Sequence, residues 1–207
     1  MEYKSITYGD YSEAPNRSEL QIVRFKALAL DPDQLWENGS LSAFYISNYW
    51  ETYFHSQKHF ARADIRDSVR YIASELIGNA VKYSATPDIL IKITLNLSAP
   101  EFRFITINEV ELTKAEAYRK FVERLLACDP EELYIDQMEQ NSADSNWRSS
   151  IGFLTIMLDY GGQLAWKFNT NGDANTQTAT TMVRLPVTGN YLSNNGELVD
   201  GSRWQKI

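Results

Sequence analysis

Three side chains have the types and spacing for phosphate chemistry: Glu75, Asn79 and Lys82. They stand four and then three residues apart, so on a helix they line up along one face. A carboxylate, a carboxamide and an ammonium in that order can hold a hydrated Mg²⁺ ion and a polyphosphate. The oxygen donors suit Mg²⁺, which keeps several waters and takes only one or two protein ligands. The lysine adds a point charge for phosphate. Polar residues at this spacing are also the ordinary outer face of an amphipathic helix, so spacing alone does not assign the site. Glu51, His55 and His59 form a second series at four-residue spacing. His-x-x-x-His can bind a metal on a helix, but the chain has only two histidines and no cysteine nearby, so these read as surface histidines.

The segment that must carry Glu75, Asn79 and Lys82 runs from Asp67 to Ser84 and is predicted to start near Ala63 or Asp64. Val69, Ile72, Ala73, Leu76, Ala80 and Tyr83 recur at helical spacing and form its buried stripe. Ala85-Thr86-Pro87 ends it, since proline disfavours helix at its own position and at the residue before. The string ELIGNAVKYS, Glu75 to Ser84, resembles the N box of the GHKL ATP-binding superfamily. That superfamily includes the ATP-binding domains of sensor histidine kinases, gyrase-type topoisomerases and anti-sigma factor kinases. The resemblance implies ATP and Mg²⁺ as cofactors. It also implies Glu75 as the catalytic group that accepts a hydroxyl proton or orients the nucleophile, Asn79 as the Mg²⁺ ligand, and Lys82 as a phosphate contact.

The surrounding elements follow from pattern. Met1 to Tyr8 reads as an edge strand and the rest of residues 1–18 as loop. Glu19 to Phe25 alternates as a strand, Asp31-Pro32-Asp33 breaks it, and Glu37-Asn38-Gly39 signals a turn. Ser40 is the expected N-cap of a helix through Ser56. Its aromatic stripe, with Ile46, Trp50, Tyr53 and Phe54 on one face, suits a core or an interface. After the central helix, Ile89 to Leu97 and Glu101 to Glu109 read as a hairpin. A helix is expected over Thr113 to Cys128, and a second one from Asp129-Pro130 with acidic residues in its first turn. Asn141 to Ser150 reads as a polar loop. A buried helix begins near Ser149 or Ser150 and ends at Gly161-Gly162. Leu164 to Phe168 and Thr178 to Val187 close the domain as strands. The fold class is therefore α/β in the α+β sense: a two-layer sandwich of a mixed, largely antiparallel sheet with helices on one face. The resemblance makes it a Bergerat-type ATP-binding fold. One domain spans residues 1–187, and residues 188–207, with Trp204 and Ile207, form a C-terminal appendage.

The resemblance is partial. In the family an Asp-x-Gly-x-Gly box follows the hairpin, its aspartate recognising the adenine amino group. Here Asn108 takes the aspartate's place, no glycine follows, and Glu109 and Glu111 add negative charge. An amide can still offer an acceptor. The second glycine box is reduced to Ser149-Ser150-Ile151-Gly152, where Ser150, Gly152 and the backbone amides of a helix start could receive an anion. Asn79, Lys82, Asn108, Ser150 and Gly152 are thus the cofactor-binding residues that the resemblance implies.

Composition bounds the partners. The net charge of −7 across 207 residues disfavours nonspecific nucleic-acid binding, which needs a basic footprint. The lone Cys128 fits a reducing cytoplasm. No apolar run approaches a membrane span, and the first residues lack a signal-peptide core. A cytoplasmic protein is expected. The family resemblance implies a bacterial signalling regulator of the stand-alone anti-sigma kinase type. Such a regulator works by partner switching with an antagonist domain or sigma-like regulator and phosphorylates a serine; a homodimer is compatible with it. The alternative is a non-catalytic adaptor that binds a protein through the same sandwich, with an exposed aromatic patch between Phe44 and Phe54 or at the Trp204 tail.

Overall fold

The computed structural model describes residues 5–13, 19–26, 32–54, 59–86, 88, 90–98, 101–141, 148–170, 175–186, 190–192 and 198–200. In chain order these form β1 (Ser5–Tyr8), β2 (Glu19–Lys26), α1 (Pro32–Glu51), a 3₁₀ turn (Thr52–Phe54) and α2 (His59–Tyr83). They continue as β3 (Leu90–Ser98), β4 (Glu101–Glu111), α3 (Leu112–Ala127), α4 (Pro130–Asn141) and α5 (Arg148–Leu158). The chain closes with β5 (Gln163–Thr170), β6 (Thr176–Pro186), β7 (Asn190–Leu192) and β8 (Leu198–Asp200). The first six strands form one sheet in the order β1-β5-β6-β4-β3-β2, and β7 and β8 pair separately. Every described pairing is antiparallel, so the sheet is not mixed. The α+β sandwich with one helical layer is otherwise as the pattern predicts.

Alternation sorts the strand residues between two faces. Ile93, Leu95, Leu97, Phe102, Phe104, Val110, Trp166, Phe168, Ala179 and Val183 meet the helices in one continuous core. That core is rich in aromatic contacts: Trp50 of α1 meets Phe102 edge-on at 5.1 Å, and Phe153 of α5 meets Trp166 at 5.5 Å. Each such burial contributes roughly 1.5–3 kcal/mol. The other face carries a smaller cluster of Ile105, Ala165 and Met182 under Tyr11. Residues 10–13 are tied across it by Arg103 (donating to the Glu13 carbonyl at 2.8 Å), Lys167 (to Glu13 at 3.0 Å) and Arg184 (to Asp10 at 2.7 Å).

Three of the boundaries that differ from the pattern are instructive. First, α1 begins at Pro32 and not at Ser40, so the predicted Glu37-Asn38-Gly39 turn lies inside a helix. Proline is at home in a first turn, where its missing N–H would have no intrahelical partner. A Cβ on Gly39 would sit 3.4 Å from Ile77 Cγ2, an ordinary contact, so α1 lies beside α2 at this point without needing the glycine. Second, α2 starts at His59, a turn before the predicted start. Third, β4 runs on to Glu111, paired with β6 as far as Thr176, and α3 follows directly. Here tertiary pairing overrides the expected end at Glu109.

Predicted helix ends elsewhere are confirmed by caps. Asp129 accepts from the Glu131 and Glu132 amides at 2.9 and 3.2 Å, an N-cap for α4. Gly161, at φ +63, closes α5 in the left-handed conformation, with the Gly162 amide bonded back to the Ile156 carbonyl at 2.8 Å. The appendage contributes β7 and β8, with β7 lying against the 3₁₀ turn; Trp204 and Ile207 fall outside the described residues. His55 and the side chain of His59 also fall outside them.

Candidate functional site

Helix α2 carries the site because its two faces have different jobs. Val69, Ile72, Ala73, Leu76 and Ile77 are sealed in the core. Tyr71 and Glu75, four residues apart, lie on the flank toward α5, and Asn79 follows at the same spacing. Glu75 is half-buried, and burial pushes its carboxyl above the ordinary range. A Cβ built on Gly152 of α5 would collide with the Glu75 carboxyl group, whose Cδ would be only 2.6 Å away. The glycine therefore makes room for the carboxylate, and α2 and α5 bring together two residues 77 positions apart.

Asn79, one turn on, is 8% exposed, and its Nδ2 has no hydrogen-bond partner among the described residues. Lys82 is exposed in the last turn of α2, its ammonium 5.3 Å from the Tyr83 ring centroid, where a cation also complements the helix dipole. Asn108 is buried on β4, and its Nδ2 donates to the Ala80 carbonyl at 3.2 Å. That carbonyl also receives the Ser84 hydroxyl at 2.7 Å, and the Ala85 amide bonds to the Glu109 carbonyl at 2.9 Å. Asn108 therefore secures the carboxyl end of α2, a structural duty that the sequence does not reveal. With its amide end turned to Ala80, its carbonyl oxygen is the end left for a donor group. Ser150 belongs to the first turn of α5, and its side chain lies outside the described residues.

The residue types fit magnesium and phosphate in part. A hydrated Mg²⁺ needs only one or two protein oxygens, of which the Asn79 carboxamide offers one; its unpartnered Nδ2 is a donor and suits a phosphate oxygen. On the adenine side, β4 passes straight into α3 with no glycine turn, so the expected backbone bend around a nucleotide has no counterpart there.

Two features escaped the sequence reading. Tyr71 stacks on Tyr160 with ring centroids 5.1 Å apart and hydrogen-bonds Thr155, one turn before Glu75 along the α2–α5 contact. Burial pushes both phenols up. The signal was present: Tyr71 precedes Glu75 by four residues, and Thr155 follows Gly152 by three. In the core, Trp166 Nε1 donates to the Tyr118 hydroxyl at 3.0 Å, which is itself 3.0 Å from Thr181 Oγ1. The Tyr118 phenol, fully buried, is pushed up to about 12 by desolvation, and its ring stacks on Tyr83 at 5.4 Å. Nothing in the local sequence marks that network, because its members lie on α3, β5 and β6.

No protein-family model matches the chain, and no curated protein sequence matches it. Among solved structures, the chain is similar to one from the crystal structure of the SiaB–SiaC complex of Pseudomonas aeruginosa. The TM-score is 0.52, with 80% of this chain and 89% of that chain covered, at 15% sequence identity. The likeness shows a shared fold. No helix among the described residues is long and apolar enough to cross a membrane.

Proposed function

We propose that this chain is a signalling regulator on a Bergerat-type fold that binds ATP and Mg²⁺ where α2 meets α5 and acts on a protein partner. The observation that carries this reading is the Glu75–Gly152 juxtaposition with Asn79 one turn away. It supports the roles that the N-box resemblance implies for Glu75 and Asn79. Bound ATP–Mg²⁺ would supply the phosphoryl group and screen its charge. Asn79 would ligand the ion, with Lys82 as a phosphate charge at the end of the same face. Glu75, its carboxyl raised by burial toward the range of a useful base, would take the proton of an acceptor serine. Asn108 Oδ1 would accept from the adenine amino group. Gly152 and Ser150 would line the phosphate side at the start of α5. The similar chain was crystallised in a complex of two proteins, which supports a protein partner here.

A thermal-shift titration tests the reading. At a hundredfold excess over its dissociation constant, a specific ligand stabilises by about 2.7 kcal/mol, roughly 5–11 °C for a chain of this size. ATP with Mg²⁺ should give such a shift, and Asn79→Ala should remove it while the unliganded melting temperature stays close to wild type. The second reading is an adaptor that binds a protein without nucleotide. It is favoured by the commitment of Asn108 to the end of α2 and by the unbroken passage from β4 into α3. A flat titration at millimolar ATP would select it.

A further inference from the structure

The outer face of the sheet, away from the helices, carries two pairs of like charges set directly opposite each other. Arg103 of β4 stands across from Arg184 of β6, and Arg24 of β2 stands across from Lys92 of β3. Such cross-strand pairs destabilise a sheet unless something neutralises them. The first pair is neutralised. Glu101 binds the Arg103 guanidinium, and Asp10 binds Arg184 at 2.7 Å from the segment 10–13 that Arg103 also holds.

The second pair is not. Arg24 is exposed and Lys92 half-buried, and Lys26 is exposed two residues further along β2. None of the three is ion-paired to a described carboxylate, and Glu109, exposed on the same face of β4, is in no described ion pair either. Leu20, Ile22 and Leu90 flank these cations on that face at 53%, 43% and 52% exposure. The strand β2 is also the last of the six, so its outer edge offers backbone donors and acceptors that no described strand takes up. On the opposite face, Val23 and Phe25 are only partly buried at the rim of the main core, and one more strand would complete their cover.

We infer that an acidic, extended segment of a protein partner adds to the β2 edge as a seventh strand. Its carboxylates meet Arg24, Lys26 and Lys92, and its apolar side chains meet Leu20 and Ile22. Basic residues on an edge strand keep most chains from pairing there, so they select a strand that brings negative charge, as Asp10 and Glu101 do for the other pair. A second copy of β2 does not bring it: on this face it offers Leu20, Ile22, Arg24 and Lys26, with no carboxylate. Nor does the chain between Glu13 and β2, where residues 14–18 include Arg17 and no carboxylate. The face presents no aromatic ring on β2 for a base to stack on, and Leu20, Ile22 and Leu90 gain nothing from phosphates, which favours a peptide over a nucleic acid. This inference rests on the sheet alone and is independent of nucleotide binding.

Selection of random phage-displayed peptides against the full chain tests it, with fluorescence anisotropy of the labelled selected peptides as the readout. Enriched peptides should carry several carboxylates, and their affinity should fall as salt rises. The double variant Arg24→Glu, Lys92→Glu should weaken them at least about tenfold, and should bind the same peptides again once lysine replaces each of their acidic residues. Hydrogen exchange of the β2 amides should slow in the complex, which reports the added strand. Lys92→Glu alone separates binding from folding. It sets a carboxylate directly across from Arg24, so the melting temperature should rise by about 1–4 °C while peptide affinity falls. Selected peptides without carboxylates, equal binding by the folded double variant, unchanged β2 exchange, or a Lys92→Glu chain that loses stability and affinity together would each overturn the assignment. So would tighter binding of single-stranded DNA or phosphatidylglycerol vesicles than of the selected peptides.

Discussion

Substituting Gly152 by alanine should reveal whether Glu75 lies where the site needs it. The new Cβ would meet the Glu75 Cδ at 2.6 Å and Cγ at 3.2 Å. Overpacking of this kind costs about 1–3 kcal/mol, and the mobile end of a glutamate side chain holds it to the lower half of that range. Against it stands the gain of about 1 kcal/mol from replacing glycine inside a helix. Gly152→Ala should therefore be nearly neutral to about 1 kcal/mol destabilising in the natural chain. In a Glu75→Ala background the obstruction is gone, and the same substitution should stabilise by about 1 kcal/mol. The coupling between the two positions is then about 1–2 kcal/mol, or roughly 2–8 °C. Urea denaturation of the four variants measures it. Gly78→Ala is the control, since a Cβ there meets nothing within 4 Å; it should stabilise by up to about 1 kcal/mol whatever stands at position 75. Equal stabilisation by Gly152→Ala in both backgrounds would refute the juxtaposition. If the proposed chemistry holds, displacing the carboxylate should also cut phosphoryl transfer far more than it cuts stability.

Further outcomes follow from the same geometry. Glu75→Gln should stabilise the fold at neutral pH. The raised carboxyl of Glu75 makes its ionised form the destabilising one, so stability present below pH 4.5 is lost as pH rises through the folded value. The advantage of glutamine should therefore vanish in denaturation below that pH and grow above it; an advantage that persists in acid would contradict the assignment. Asn108→Ala should cost about 1–3 kcal/mol by removing the buried bond to the Ala80 carbonyl, with faster amide exchange at the end of α2 as the local readout. Tyr118→Phe should cost about as much, because Trp166 Nε1 loses its acceptor, and indole fluorescence should report the change.

Much of the architecture is legible in the chain because it is written in local periodicity. The alternation in Glu101–Asn108, the stripe Val69-Ile72-Ala73-Leu76 and the capping Asp129 each dictate an element through nearest neighbours alone. Boundaries failed where long-range pairing decided them. The β4 strand extends to Glu111 because β6 offers it a ladder, and α1 reaches back to Pro32, a residue at home in a first helical turn. The two segments tied by Arg103, Lys167 and Arg184 could not be matched from sequence, since ion pairs between distant segments leave no periodic trace.

The candidate site divides in the same way. Sequence by itself determined that Glu75, Asn79 and Lys82 share one side of a helix, because 3.6 residues per turn allows little else. Only the tertiary structure decided what each one meets. Glycine at position 152 is a helix weakness until α5 is laid beside α2, when it becomes the space for a carboxylate. Asn108 is a substitute for an aspartate until β4 is set against the end of α2, when it becomes the donor that holds Ala80 in place. The aromatic residues of α1 form a single dense run until one side is packed on the core, which leaves Leu41, Phe44, Tyr45 and Tyr49 outside. In each case the deciding contact joins residues far apart in the chain, and such contacts depend on how whole elements pack, which local spacing does not encode.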